Sequence, residues 1–487
     1  MLRKYLVVMA GAAALATVAS ASYAGAPAGE IAKLGKSLTP VGAERAGSKD
    51  GKIPEWTGGL PVYPKSVPGL PHISSPDRSK DLNGWLMAFT KKFGQKNLPG
   101  PYADEKPEFT ITAQNYKQYA DKLTPGMQAM FQHYADFKMH VYKTHRGVAF
   151  PQQVYDWTRK NAENATLEGQ NGVHGAAVGF PYPIPYGPHK ANMVIWNHAL
   201  AWHVPNTVVQ NQAHAIVSQS GNYYLVGNTR WIKFFYSRFG MTPKELENKY
   251  NDMYVYFLQQ VTSPARLAGE VLLVWEPVNQ EKHPRSAWIY NPGQRRVRRA
   301  PNVEFDNTTG THSDGLSTDD NFNMWNGSQE QYNWKLLGKK EMYVPYDDFK
   351  LGKSGRPYSD IIKAHHLNQD LVRYELHRVW VVQATLKKGI RNIYSKRVFY
   401  VDEDSWNILE GDLYDDRGNL WRVEQGYLIP VYIVPTAAYS METINDLSSG
   451  RYEAMGLTQN KPQTQTIAAA TPDSKYTPAN LRRVGIR

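Results

Sequence analysis

Between about Met193 and Pro435 the apolar residues of this chain recur with a period of two. Tyr374, Leu376, Trp380, Val382 and Ala384 fall on one side of an extended segment, with Glu375, His377, Val379 and Gln383 on the other. That spacing belongs to a strand, not a helix. Similar segments are Tyr223–Phe235, Val271–Trp275, Ala287–Tyr290, Val398–Val401, Trp406–Leu413 and Leu420–Leu428. Asn291-Pro-Gly293, Lys388-Gly389 and Asp415–Asn419 supply turn residues between them. Short strands joined by tight turns must pool their apolar sides. The expected fold is therefore mainly β with flanking helices (α+β). It is a large curved antiparallel sheet or incomplete barrel, with helices packed over its concave face.

Two helix starts stand outside that pattern. Thr124-Pro125 offers a cap and a proline at the first helical position, followed by Met127, Met130, Phe131 and Tyr134 on one face. Thr242-Pro-Lys-Glu245 has the spacing of a capping box, with Leu246, Tyr250 and Met253 behind it. Phe180–Tyr186 is proline-spaced and extended, a wall or strap. The expected organisation is a leader over 1–24, an irregular Pro/Gly-rich lead-in over 25–110, the β domain over 111–440, and a C-terminal helix and flexible tail over 441–487.

The leader has a basic n-region, Arg3 and Lys4, an apolar run from Leu6 to Val18, and small residues Ser22 and Ala24 ahead of Gly25. This is the pattern of a cleavable export signal. The expected compartment is a Gram-negative periplasm. The chain has no cysteine, so thiol catalysis, disulfides, zinc ribbons and a lipoprotein anchor are excluded. Its net charge is +12, or +10 once Arg3 and Lys4 leave with the leader. A basic exported protein can meet anionic lipid headgroups; nucleic acid is not an expected partner. An outer-membrane barrel would need regular lipid-facing strands, and charged residues interrupt the outward faces here.

No convincing catalytic motif is present: neither a G-x-S-x-G elbow, a P-loop nor a Rossmann glycine triplet occurs. The fourteen histidines lack an H-E-x-x-H or a carboxylate–His cluster with metal-site spacing, and no metal or cofactor is expected. The pairs His198/His203 and His140/His145 are five apart, which on a strand puts the two rings on opposite faces. Asp314, Asp319 and Asp320 sit in a loop that lacks the alternating ligands of a calcium site. Acidic residues from Glu403 to Asp416, Glu410 and Asp412 among them, contain material for a hydrolase pair. Arg295–Arg299 follows the Asn291–Gly293 turn and alternates its arginines between two faces. Trp196, Trp202, Trp231, Trp275, Trp288, Trp380 and Trp406 all lie in segments with strand character, material for a core or an apolar pocket.

Several local sequences are shared with a known family. Leu38-Thr-Pro-Val-Gly-Ala-Glu-Arg-Ala-Gly47, Ile53-Pro-Glu-Trp-Thr-Gly-Gly59, Phe109-Thr-Ile-Thr, Asn197-His198, Trp288-Ile-Tyr-Asn-Pro, Lys396–Trp406 and Leu420-Trp-Arg422 together resemble the domain-of-unknown-function 1329 family. The resemblance runs over nearly the whole chain after the leader. Ser263–Gly269 through Arg299, with the Asp314–Asp320 loop, is similar to lipoprotein-sorting-like sequences. The resemblance implies a periplasmic protein with a fold like the carriers LolA and LolB, an incomplete barrel around an apolar cavity. It also implies a role beside exporters of the resistance-nodulation-division type or an outer-membrane protein. No catalytic residue comes with it.

The expected function is thus non-enzymatic binding or carriage of a lipid or other hydrophobic molecule. Trp275, Trp288, Tyr290, Trp380 and Phe399 are the expected pocket or core lining, and Arg296 and Arg298 the expected rim contacts. The alternatives are a hydrolase of envelope glycans or lipids using acids near Glu403–Asp416, and a scaffold subunit of a transporter complex.

Overall fold

The computed structural model describes residues 25–60, 100–300, 305, 307–308, 312–353, 355–432, 434–460, 465–467 and 471–486. The expected leader lies outside these residues, as does most of the proline-rich stretch after Leu60.

The strands are β1 (Phe109–Thr112), β2 (Lys138–Val141), β3 (Thr166–Glu168), β4 (Gly172–His174), β5 (Asn206–Val217) and β6 (Tyr223–Phe234). They continue as β7 (Met253–Ser263), β8 (Val271–Pro277), β9 (Ser286–Asn291), β10 (Arg296–Arg299), β11 (Tyr332–Pro345) and β12 (Tyr374–Leu386). The last are β13 (Lys396–Asp402), β14 (Ile408–Tyr414), β15 (Leu420–Val431), β16 (Thr436–Asp446), β17 (Arg451–Leu457) and β18 (Gln465–Ile467). All but β3 and β4 belong to one curved 16-stranded sheet in the order β1-β2-β12-β13-β14-β15-β16-β17-β5-β6-β7-β8-β9-β10. There β11 pairs with β12 and β18 with β5. Two antiparallel meanders, β12–β17 and β5–β10, are joined through β17 and β5. The parallel β2–β12 pair makes the sheet mixed. Its terminal strands β1 and β10 do not pair with each other, so the barrel stays open.

The tight turns stand where the sequence places them. Asp415 to Asn419 joins β14 to β15, and Asn291–Gly293 leads from β9 into the Arg-rich β10. Helix Pro125–His133 starts as its cap dictates, Thr124 Oγ1 accepting from the Met127 amide at 3.1 Å. Helix Pro243–Tyr250 does the same through Thr242 and the Glu245 amide.

Two stretches differ from the sequence expectation. Met193–Ala199 is not a strand but part of helix Lys190–Ala199, and Ala191 to His198 are all buried. A helix buried all round shows no amphipathic period, and a short apolar run does not distinguish it from a core strand. Trp196 therefore sits on a helix; Trp202 sits in a loop and Trp406 in the β13–β14 turn at φ 60°. Beyond Tyr439, where a helix is expected, the chain first continues as the rest of β16 and then β17, both integral to the sheet, and turns helical in a short stretch at Leu481–Gly485. Residues 25–60 begin with a single turn of helix, Ala28–Ile31, and bury Val41, Ile53 and Trp56.

Both faces of the sheet are covered. Helix Pro125–His133 packs on β14 and β15, and helix Lys190–Ala199 on β11 and β12. Strand β12 consequently buries Glu375 and His377 as completely as Leu376 and Val379. The polar side of its alternation faces a second interior layer, not water.

Candidate functional site

In antiparallel pairs, residues directly opposite share a face. Trp288 is opposite Leu273 and Arg299; Tyr290 is opposite Val271 and Val297. Trp275 is opposite Tyr256, and the Trp275 and Trp288 rings meet edge to face at 4.7 Å. This face of β7–β9 is closed by the end of the chain, where Tyr476, Leu481 and Val484 pack against Leu258, Leu273 and Tyr290. Trp275 Nε1 donates to the Tyr476 carbonyl at 2.9 Å, and Gln260 Nε2 to that of Val484 at 2.8 Å. Trp275, Trp288 and Tyr290 thus form one group.

The other candidates lie elsewhere. Arg296 and Arg298 are exposed on β10, opposite Asn291 and Ile289, so they project from the face away from Trp288 and Tyr290. Trp380 stacks on Trp406 with ring centroids 6.0 Å apart, under the Lys339 ammonium at 4.5 Å. Phe399 is wholly buried against Trp325 and Trp334. The seven residues therefore occupy four places, and one of these is an aromatic face covered by Tyr476, Leu481 and Val484.

The acids from Glu403 to Asp416 also separate. Asp412 accepts from the Gly126 amide at 2.9 Å and from the Tyr400 hydroxyl at 3.0 Å, pinning the Pro125–His133 helix to the sheet. Burial pushes its carboxyl up to about 7. Glu410 is buried on the same strand, and burial drives it well above the ordinary carboxyl range. Asp415 spends its oxygens on the backbone and side chain of its own turn. In the acidic loop, Asp314 pairs with Arg451, Asp319 accepts from Asn307, and Asp320 meets Arg397 at 2.6 Å, three separate engagements.

The densest polar site is one that spacing does not reveal. The β12–β13 register places Val379 opposite Asp402 and so brings the start of β12 to the turn after β13. There, Asp404 takes a bidentate pair of hydrogen bonds from Arg146, at 2.8 Å from Nε and 2.7 Å from Nη2. Glu403 meets Lys339 at 2.7 Å, Arg378 at 3.2 Å and Arg146 at 3.4 Å. Arg373 Nε donates to Glu375 Oε1 at 2.5 Å. His377 Nε2 lies 3.2 Å from Glu375 Oε2, and its ring stacks on Tyr346 at 3.8 Å. Asp402 Oδ2 accepts from the Ser405 amide at 2.9 Å and the Ser405 hydroxyl at 2.6 Å.

Burial holds the His377 imidazole neutral, down to about 3. Burial and then Asp404 push Asp402 up, and burial and then Glu375 push Asp347 up. One nitrogen of His377 and one oxygen each of Asp402 and Asp404 lie within 4.8 Å of one another, all three residues buried. Of the histidines singled out by spacing, His198 is buried and bonded to the Asn323 carbonyl, and His145 lies 2.8 Å from Glu105. His140 reaches Thr110 and Asp370.

Among the described residues no helix is long and apolar enough to cross a membrane, which says nothing of strands. The chain is 46% identical over 479 residues to an uncharacterized protein of Pseudomonas aeruginosa, covering 98% of each. Among solved structures it is similar to a DUF1329 family protein from Desulfovibrio piger, at 15% identity and TM-score 0.38, over 57% of this chain and 92% of that one. It is also similar to a putative outer membrane lipoprotein-sorting protein domain from Vibrio parahaemolyticus, at 12% identity and TM-score 0.38, over 58% and 94%. The family model described as protein of unknown function (DUF1329) matches residues 110–482, which take in β2 through β18, the aromatic face and the buried polar site alike; the chain belongs to that family.

Proposed function

We propose that this protein binds and carries a hydrophobic molecule, a lipid foremost, in a Gram-negative periplasm, without catalysing a reaction. The observation that supports this is the aromatic face of β7–β9. Its cover is neither a second sheet nor a long helix but Tyr476, Leu481 and Val484, at the end of the chain. Lifting that cover exposes three buried side chains, a cost of about 1.5–3 kcal/mol each that a bound ligand must offset. An acyl chain that replaced them would gain about 0.8 kcal/mol for each methylene it buried. Arg299 stands exposed on the neighbouring edge strand, on the same face as Trp288, and can reach an anionic headgroup there, whereas Arg296 and Arg298 project from the other face. The export signal in the sequence supports the compartment, and a resistance-nodulation-division exporter or an outer-membrane protein is the proposed exchange partner.

Native mass spectrometry of the protein after incubation with phosphatidylethanolamine–phosphatidylglycerol vesicles tests the reading. One retained phospholipid per chain is expected in the wild type, with retention reduced in Trp288→Ala. An Arg299→Ser variant should selectively lose phosphatidylglycerol while melting as the wild type does. A protein that emerges empty, or one whose retained lipid is indifferent to Trp288, refutes it.

A further inference from the structure

We propose that His377, Asp402 and Asp404 form a buried site for one divalent transition-metal ion of the zinc class, held by an imidazole nitrogen and two carboxylates. The three come from β12 and from the end of β13 with its following turn, and offer ligand atoms within 4.8 Å of one another. Glu375 Oε2 already accepts from the His145 amide at 2.7 Å and so acts as an acceptor, which gives His377 Nε2 the hydrogen of that contact and leaves Nδ1 its lone pair. Nδ1 points toward Asp402 Oδ1 at 4.0 Å, two acceptors face to face and too far apart for a hydrogen bond. Asp402 is fully buried, and its Oδ1 has no hydrogen-bond partner, whereas its Oδ2 takes both Ser405 donors.

An unpaired buried carboxylate oxygen is costly unless a cation meets it. Glu403 and Glu375 already have arginine or lysine partners. Among the described residues Asp402 has no arginine or lysine at ion-pair distance, only the His377 imidazole at 4.0 Å. Zinc bonds of about 2 Å at a tetrahedral angle hold two ligand atoms roughly 3.3 Å apart, so the ion would draw Nδ1 and Oδ1 together from their 4.0 Å separation. The carboxylate behind the imidazole is the second-shell arrangement that orients a ligating histidine, and the Tyr346 stack fixes the ring plane. Asp404 accepts from Arg146 at both oxygens, and each retains a lone pair for an ion. A nitrogen ligand in a set of three favours a transition ion over magnesium or calcium, which take six or more oxygens. With all three residues buried, the ion would tie β12 to the β13–β14 turn and play a structural part.

The test is metal analysis of the full chain purified without chelator, then titration of the dialysed protein with zinc chloride followed by its melting temperature. One equivalent of bound zinc and a rise in melting temperature are expected. Asp402→Asn and His377→Gln should each weaken zinc binding by at least about tenfold, a loss the oriented ligand set implies. Should either variant fail to fold, anomalous scattering at the zinc edge from wild-type crystals decides: a peak between His377 and Asp402 supports the site, and a peak elsewhere overturns it. A wild-type chain that takes up neither zinc nor cobalt, or variants that keep wild-type affinity, would also overturn it.

Discussion

Replacing Arg146 with methionine removes the most heavily used cation in the interior. Its guanidinium holds both oxygens of Asp404, reaches Glu403, and donates to the carbonyls of Glu44 at 2.8 Å and Arg45 at 3.1 Å. The side chains of Arg146 and Asp404 are each only 2% exposed, so water cannot replace what is lost. Breaking a buried pair by removing one partner costs about 3–5 kcal/mol, because the surviving charge stays buried. Equilibrium urea unfolding, followed by tryptophan fluorescence and far-ultraviolet circular dichroism, should show that loss for Arg146→Met. Arg146→Met combined with Asp404→Asn should lose about 1–3 kcal/mol less than the two single changes together, since the orphaned charge is gone. Limited proteolysis should also cut Arg146→Met within residues 25–60 faster than the wild type, because the lost hydrogen bonds to the Glu44, Arg45 and Pro54 carbonyls anchor that segment. A loss below about 1 kcal/mol, the range of solvent-exposed pairs, would refute the account of a dry, load-sharing arginine.

Stability should fall as pH rises from about 6.5 to 8. Burial raises Glu424 to about 8 and Glu442 and Asp412 to about 7, so the folded state holds protons that the unfolded state has released, and their contribution fades toward alkaline pH. His198 and His203, held down to about 4 by burial, act oppositely but only below pH 6.5; calorimetric melting at pH 6.5, 7 and 8 reads the sign, and a rising melting temperature would contradict it. Thr124→Ala removes the cap of the Pro125–His133 helix and should cost about 1 kcal/mol by urea unfolding. Gly42→Ala should cost at least about 2 kcal/mol in the same assay: Gly42 has φ 94°, and a Cβ there would lie 1.8 Å from the Pro183 carbonyl oxygen.

The features legible in the sequence are those written locally. Thr124 and Thr242 cap the helices their spacing indicates, and the turn at Asp415–Asn419 and the alternation at Tyr374–Ala384 each became the expected element. What the sequence hid is what only tertiary contact defines. Helix Lys190–Ala199 is enclosed on every side, so its residues carry no period to read. The strands after Tyr439 mix small and polar residues such as Thr443, Asn445 and Ala454, whose burial depends on the neighbouring strands. His377 and Asp402 are twenty-five positions apart, and only the β12–β13 register makes them neighbours. The residues from Glu403 to Asp416 read as one acidic run, yet Glu403, Asp412 and Asp415 answer to three different sets of partners.

The docking of residues 25–60 sets an order on how this chain matures. Trp406 Nε1 donates to the Val41 carbonyl, Glu403 accepts from the Glu44 amide, and Arg378 donates to the Ala46 carbonyl, contacts that span more than three hundred positions. At roughly 5–20 residues per second, the ribosome needs on the order of 20–70 s to make the chain between those partners. For that interval Val41 and its neighbours have nowhere to settle, and a nascent chain stopped short of Glu403 carries an unberthed N-terminal segment. The interior around Val41 and Glu44 therefore closes only after β13 and its following turn have been made.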